Sequence, residues 1–220
     1  MAAAGGAGLP AERTLEGEIA LAAKRAGRRA EVRRKTSETD FALTLDLDGG
    51  GRGEAKTGVG FFDHMLAQIA RHGLLDLKVR GRGDLGVDGH HTAEDVGILL
   101  GQALAKALGD RAGIARFADA RVPMMDALVH VALDAGGRGN LVFRGTFPET
   151  RVGDFETALV REFFWSLATH AGVDLHIEVL YGENAHHMVE AVFKGFGRAL
   201  RAAAARDPRE GGVPSTKGML

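Results

Sequence analysis

The sequence predicts an α+β fold, an α/β sandwich made of two similar halves that each consist of a small sheet with helices on one side. Alternating apolar residues indicate several short strands, and apolar residues spaced about 3.6 apart indicate helices between them. The same order of elements then occurs a second time. This repetition indicates an internal duplication.

The first half alternates short strands and helices, separated by glycine-rich or polar turns. The expected order is a strand over 41–47, a glycine-rich turn over 48–53, a short strand over 54–57, a helix over about 61–71, a strand over 74–80 and a long helix from His90.

The second half repeats this order, so each half is expected to be a ββαβα unit. Its expected elements are a strand over 128–134, a glycine turn over 135–139, a strand over 141–144, a helix over about 155–169, a strand over 173–180 and a long helix from His186.

Matched residues support the duplication, although chance similarity between two helix starts is the alternative. At a shift of 98 positions, the matches are His72 with His170, Asp76 with Asp174 and Leu77 with Leu175. After a loop two residues shorter the shift is 96, and the matches are His90 with His186, His91 with His187, Glu94 with Glu190 and Gly101 with Gly197. The agreement in element order favours duplication.

The composition is that of a globular protein without a nucleic-acid or membrane partner. Hydrophobic residues make up 45% of the 220 residues, and the formal net charge is −1, so no broad basic surface is expected. No apolar run approaches the roughly 20 residues that a membrane helix needs. The opening residues do not resemble a secretory signal, so a cytoplasmic protein is expected. Because there is no cysteine, any metal must be bound by imidazoles and carboxylates.

The chain is expected to form one folded domain after an N-terminal extension. Residues 1–12 are Ala/Gly-rich and expected to be disordered, and 13–30 are predicted to form a short basic helix weakly tied to the core. The domain is expected over 31–220, as repeats of about 31–120 and 121–205 followed by a C-terminal tail, 206–220.

Two segments, 89–95 and 184–191, indicate metal binding. Positions i and i+4 share a helix face, so His90 with Glu94, and His186 with Glu190, can each chelate one ion. His91 and His187 point about 100° away around the axis and suit a different ion. A single such segment would be weak support, because histidines at helix starts often cap; two at matched positions favour metal ligands.

The repeat suggests a third ligand for each site. His64 corresponds to Glu162 at the shift of 98. If a neighbouring subunit supplies the lone imidazoles, the ions also stabilise an assembly. Mixed imidazole and carboxylate ligands suit Mn, Fe, Ni or Zn better than Ca or Mg. The expected sets are His64, His186, Glu190 and a lone His91, and His90, Glu94, Glu162 and a lone His187.

Seven segments occur in the order of the motifs of one known family: 33–41, 60–66, 90–96, 113–120, 128–134, 182–196 and 214–218. On these segments, from about Arg33 to Leu220, the chain resembles the imidazoleglycerol-phosphate dehydratase family. The resemblance implies a duplicated fold, a 24-subunit homo-oligomeric cage, and two manganese ions per active site where subunits meet.

The resemblance also assigns substrate contacts and a reaction. It implies a lyase of histidine biosynthesis that converts imidazoleglycerol phosphate to imidazole acetol phosphate, with Glu38 as the catalytic carboxylate. The positions matching phosphate and tail contacts are Arg116, Arg138, Lys194, Ser215 and Lys217. The residues expected to act in catalysis are Glu38, His64, His90 and Glu94.

The expected mechanism answers a chemical difficulty, since the hydrogen to be removed lies on a carbon without an adjacent carbonyl. Two metals holding the ring nitrogens would let the ring become imidazolate and expel the side-chain hydroxyl through a diazafulvene-like intermediate. Glu38 would move the proton, and the resulting enol would become the ketone.

Two positions depart from the family. Glu162 stands where the family usually has His, and Met125 and Asp126 stand where it often has Asp and Glu. Two other classes remain open. A binuclear metal hydrolase would use the same ligands to generate hydroxide, but would not need the lone imidazoles or the Ser/Lys tail. Metals could alternatively serve only to hold a cage together.

Overall fold

The computed structural model describes residues 27–217. Two four-stranded sheets lie outside four helices, and the second half also contains a two-stranded hairpin. The elements in order are β1 Arg29–Lys35, β2 Asp40–Asp46, β3 Gly53–Lys56, α1 Gly60–Gly73, β4 Asp76–Arg82, α2 His90–Leu108, β5 Phe117–Met124, β6 Ala127–Asp134, β7 Asn140–Arg144, β8 Arg151–Val152, β9 Phe155–Glu156, α3 Leu159–Ala171, β10 Asp174–Tyr181 and α4 Ala185–Ala203.

The two sheets have the same topology, which confirms the predicted duplication and the α+β class. Their strand orders are β1-β2-β4-β3 and β5-β6-β10-β7, and in each the last pair is parallel while the others are antiparallel. The registers also agree. Asp46 faces Asp76 in the first sheet, and Asp134 faces Asp174 in the second.

The helices form the middle of the sandwich. On β2 and β6, buried apolar residues alternate with half-exposed ones, so each sheet presents one apolar face to the helices. The helix α2 packs on the first sheet and α4 on the second, while α1 packs against α4 and α2 against α3. Contacts between helices of different halves therefore build the centre of the core. Its fully buried aromatic residues include Phe62, Phe163, Phe164, Phe193 and Phe196.

Glycines allow these helix pairs to approach closely. A Cβ on Gly101 of α2 would lie 2.6 Å from the carbonyl oxygen of Leu167 on α3. At the matched position of α4, a Cβ on Gly197 would lie 2.8 Å from the carbonyl oxygen of Ile69 on α1. Both distances are too short for a side chain, so glycine is required where the two helix pairs cross.

Each four-stranded sheet contains one strand more than expected, so each half begins with three strands, and the second half also contains the unexpected hairpin of β8 and β9. The missed strands of the two sheets, β1 and β5, pair on one side only, at the sheet edges. In β1 only Ala30 and Val32 are buried, and the remaining residues are largely charged. Such a sequence lacks the apolar alternation on which strand prediction relies, whereas backbone pairing along all of β2 holds the segment extended.

The expected boundaries need three corrections. The folded part begins two residues before Glu31, because β1 starts at Arg29, so 29–30 are neither helical nor disordered. The rest of the expected N-terminal extension, 1–26, lies outside the described residues. The expected repeat boundary at 120/121 falls inside β5. The helix α3 begins at Leu159, four residues later than expected, and 155–156 form β9; the other boundaries agree within one or two residues.

The described part of the tail, 206–217, lies against the segment that precedes β5. The amide of Gly113 donates to the carbonyl of Gly212 over 2.8 Å, and the amide of Asp207 donates to the carbonyl of Gly113 over 3.0 Å. These bonds direct the tail past the start of β5. None of the helices within 27–217 combines the length and the apolar run that crossing a membrane requires.

Candidate metal and substrate site

One cluster of site residues lies where α1 meets α4. His64 is in the second turn of α1, whose first amides, of Gly60 and Phe61, donate to the carboxylate of Asp154 over 2.9 and 3.3 Å. His186 and Glu190 are one turn apart on α4. Because the two helices pack together, Nε2 of His64 lies 3.7 Å from Oε2 of Glu190, and Nε2 of His186 lies 3.1 Å from the same oxygen.

Glu190 is the buried centre of this cluster. Its side chain is only 7% exposed, and its second oxygen, Oε1, lies 2.6 Å from Nζ of Lys194. Burial raises the pKa of Glu190, but Lys194, with the imidazoles of His186 and His64, outweighs burial and lowers it below the ordinary value. An ionised carboxylate and imidazole nitrogens are the kinds of donor atom that divalent transition metals bind.

The second expected set is less closely gathered. Nε2 of His90 lies 4.0 Å from Oε2 of Glu94 at the start of α2, and both side chains are about half exposed. The half-buried Glu162 lies in the first turn of α3, the helix that packs against α2. Helix packing therefore places the three residues on adjoining helices.

Each lone imidazole lies beside a chelating histidine, with the two ring centroids 6.0 Å apart, and is held by an acid through Nδ1. Nδ1 of His91 lies 2.9 Å from Oδ2 of Asp84, and Nδ1 of His187 lies 2.5 Å from Oδ1 of Asp126. The bond from Asp84 raises the pKa of His91. When a carboxylate holds Nδ1 of a histidine, the orientation of the ring is fixed and Nε2 points away from that carboxylate. Metal-binding histidines are commonly held in this way.

These acids were only partly foreseen. Asp84 was not singled out, because it is separated from His91 by a loop that carries no helical spacing. The sequence marks Asp126 only as a departure from the family pattern. Its pKa lies well below the usual range, because the amide of Glu183 and the ring of His187 bond its carboxylate. Met125 itself is 83% exposed in left-handed backbone.

Glu38 lies at the tip of the β1–β2 turn, next to His91. Its Oε2 is 3.8 Å from Nε2 of His91, and about half of its side chain is exposed. The antiparallel registers pair Arg29 with Asp46 and Phe117 with Asp134, a shift of 88, so Glu38 corresponds to Asp126 (38 + 88 = 126). The two halves therefore place equivalent acids against His91 and His187.

Within 27–217, no group of three or more histidine or acidic side chains in one chain could by itself hold a metal ion. Exposed apolar residues lie in the loops and strand ends that lead to the two lone imidazoles. They are Leu85, Val87, Met125, Leu180 and Tyr181.

A separate cleft of about 820 Å³ lies beneath the tail. It brings together four of the five residues expected to contact phosphate: Arg116, Arg138, Ser215 and Lys217. Arg116 is already engaged, since its Nε lies 2.7 Å from the carboxylate of Asp134 and its Nη1 donates to the carbonyl of Pro214 over 2.7 Å. Arg116 thus holds the tail over the cleft.

The fifth expected phosphate contact, Lys194, does not line this cleft but contacts Glu190. His72, on α1, lies near Lys194. Partial burial, together with the charges of Lys194 and Arg198, lowers the pKa of His72. The sequence marked His72 only as a repeat match, because nothing local connects α1 with Lys194.

The fold and these residues define a class of protein: a duplicated α+β chain whose second long helix in each half begins with a His–His–x–x–Glu segment. A family model described as imidazoleglycerol-phosphate dehydratase matches residues 57–200. The chain is 58% identical over 194 residues to the imidazoleglycerol-phosphate dehydratase of Methylorubrum populi, covering 88% of this chain and 100% of that protein. It is 57% identical to that of Azorhizobium caulinodans, covering 88% and 98%.

Solved structures agree with these matches. The imidazoleglycerol-phosphate dehydratase of Staphylococcus aureus superposes with a TM-score of 0.74 at 34% identity, covering 81% of this chain and 99% of that one. The enzyme of Pyrococcus furiosus gives 0.75 at 40% identity, covering 86% and 100%. The chain therefore belongs to the imidazoleglycerol-phosphate dehydratase family.

Proposed function

We propose that the protein is a hydro-lyase of histidine biosynthesis, which removes water from imidazoleglycerol phosphate to give imidazole acetol phosphate. The observation that carries this proposal is the convergence of His64 and His186 on the buried carboxylate of Glu190, in a chain that belongs to this family. Two imidazoles and an ionised carboxylate fit a divalent ion that can also bind the nitrogen-rich ring of this substrate.

We propose manganese for both expected sites. The ligands would be His64, His186 and Glu190 in one set, and His90, Glu94 and Glu162 in the other. When bound, the ions would supply Lewis-acid chemistry for the imidazole ring of the substrate.

The remaining ligand of each set is proposed to come from a neighbouring subunit. His91 and His187 lie about 100° around the helix axis from their chelating neighbours, and each is held through Nδ1 by an acid. Exposed apolar residues lie in the loops and strand ends that lead to both, as expected where a second copy docks. A homo-oligomer of 24 subunits, with metals at the contacts, would complete both sets.

The protonic step is assigned to Glu38. The hydrogen to be removed is only weakly acidic, so a positioned carboxylate must take it as a proton while the neighbouring carbon–oxygen bond breaks; the departing hydroxide then takes up that proton and leaves as water. The resulting enol becomes the ketone by proton transfer. Arg138, Ser215 and Lys217 provide donors and positive charge for the phosphate in the cleft beneath the tail.

Turnover of imidazoleglycerol phosphate by metal-stripped protein, before and after addition of Mn²⁺, tests this function. Activity should be absent without metal and return with it. The variant His130→Gln should behave like the wild type and serves as a control for histidines outside the site. His130 pairs with Asp119 on the outer face of the second sheet, away from both expected metal-ligand sets. Failure to form imidazole acetol phosphate with the metal sites demonstrably filled would overturn the proposal.

A further inference from the structure

Asp95 is a buried carboxylate on α2 that neither expected metal set uses. It follows Glu94 directly, and its side chain is 8% exposed. Burying a carboxylate is costly unless it is paired and hydrogen-bonded. Nε of Arg34 donates to its Oδ1 over 2.7 Å, and the hydroxyl of Thr39 donates to its Oδ2. Arg34 lies near the end of β1, and Thr39 lies in the turn that joins β1 to β2. Asp95 therefore ties this turn to α2.

The turn itself is held by its two threonines. The hydroxyl of Thr36 accepts from the amides of Glu38 and Thr39 over 3.1 and 3.0 Å, and it lies 3.2 Å from the hydroxyl of Thr39. The amide of Thr36 also donates to the carbonyl of Thr39 over 2.9 Å. A continuous set of hydrogen bonds therefore runs from the carboxylate of Asp95 to the backbone of Glu38.

The spacing on α2 relates this anchor to the site. Asp95 lies four residues after His91, so the two share a helix face, just as Glu94 shares a face with His90. His91 faces the carboxylate of Glu38 at 3.8 Å, and Asp95 holds the turn that carries Glu38. One helix face thus presents the imidazole and also fixes the position of the acid beside it.

The second half shows that the fold does not itself need an acid here. The position equivalent to Asp95, at the shift of 96, is Ala191, which is fully buried on α4. There the equivalent turn carries Asp126, which bonds His187 directly and needs no such anchor. The carboxylate is present only in the half whose turn carries the longer, more exposed Glu38.

We propose that Asp95 is a positioning residue that, through Thr39 and Thr36, holds Glu38 in place for the proton transfer. The inference rests on the proposed role of Glu38. Removing Asp95 should leave metal and substrate binding intact and lower the turnover rate, because the acid is then held less often at the reacting carbon.

The test uses the metal-loaded protein and the variants Asp95→Ala, Glu38→Gln and their combination, with Asp119→Ala as a surface-acid control. Asp95→Ala should lower kcat by about tenfold, with KM and metal content unchanged. Hydrogen exchange of the peptide 33–41, measured by mass spectrometry, should become faster. The double variant should be no slower than Glu38→Gln alone, because Asp95 acts only through Glu38.

Unchanged kcat, unchanged exchange of 33–41, or losses that multiply in the double variant would each overturn the inference. If Asp95→Ala does not fold, Thr39→Val and Thr39→Ser decide: valine should reproduce the loss and serine restore activity, whereas equal activities would contradict it. Should Glu38→Gln prove fully active, the proposed role of Glu38 fails by itself, and the exchange measurement still tells whether Asp95 anchors the turn.

Discussion

Nε2 of His64 lies 3.7 Å from Oε2 of Glu190, and this contact joins the two halves of the duplicated chain. His64 belongs to α1 of the first half and Glu190 to α4 of the second, and the two helices pack against each other in the middle of the sandwich. The crossed packing of the halves therefore assembles residues that are far apart in sequence into one candidate metal site.

Removing divalent metal should abolish activity and reduce the size of the assembly. The expectation follows because each ligand set is proposed to need an imidazole from a neighbouring subunit. Light scattering before and after chelator treatment measures the change, and adding Mn²⁺ should reverse it. An assembly of unchanged size from which all metal has been removed would contradict the shared sites.

Glu38→Gln should lower turnover by about 100-fold or more, the usual size of a general acid–base contribution. Glutamine keeps the shape of the side chain, so the fold, metal content and assembly should stay unchanged. Steady-state kinetics and metal analysis of the same preparation check both points. A variant with activity within a few-fold of wild type would remove Glu38 from the mechanism.

Lys217→Ala should weaken the binding of phosphate-bearing inhibitors without changing stability. Lys217 is exposed at the cleft beneath the tail, so its ammonium contributes charge to that cleft but little to the core. Cutting the chain after Val213 should weaken binding further, because it also removes the Pro214 carbonyl that accepts from Arg116. Calorimetric titration measures both effects; equal affinity in wild type and truncated protein would contradict the assignment.

Glu162→His should keep metal binding but shift selectivity toward Zn²⁺ or Ni²⁺, because an imidazole replaces a harder oxygen donor that favours Mn²⁺. Glu162→Ala should weaken one of the two sites only. The alternative is that Glu162 is a solvated helix acid and that His170 or His176 supplies the ligand. Metal titration of both variants distinguishes these views. Wild-type affinity for two ions in Glu162→Ala would exclude Glu162 as a ligand.

Gly101→Ala should destabilise the protein by about 1–3 kcal/mol, the usual cost of overpacking. The added Cβ would lie 2.6 Å from the carbonyl oxygen of Leu167 and 2.8 Å from Cβ of His170, so α2 and α3 would have to separate. Urea denaturation measures the change. Gly211→Ala is the matched control, since its Cβ would have no atom within 4 Å; equal stability of the two variants would show that the helices can move apart freely.

The sequence by itself determined the class of fold, the duplication and the helix faces shared by the pairs that are expected to chelate metal. These depend on local periodicity: alternating residues specify the two faces of a strand, and the i, i+4 spacing places His186 and Glu190 on one helix face. The close helix crossing at Gly101 and Gly197 could be noticed as a repeat match, but its reason, the approach of a carbonyl oxygen, needed the structure.

Only the tertiary structure decided which distant groups meet. The edge strands β1 and β5 form because a neighbouring strand supplies their hydrogen bonds, although their charged or small side chains do not show the apolar alternation that predicts a strand. Asp84, Asp95 and Asp126 reach their partners across loops and between elements, where no sequence spacing applies. Their contacts depend on how helices pack on sheets, since that packing brings the β1–β2 turn and its Glu38 beside His91.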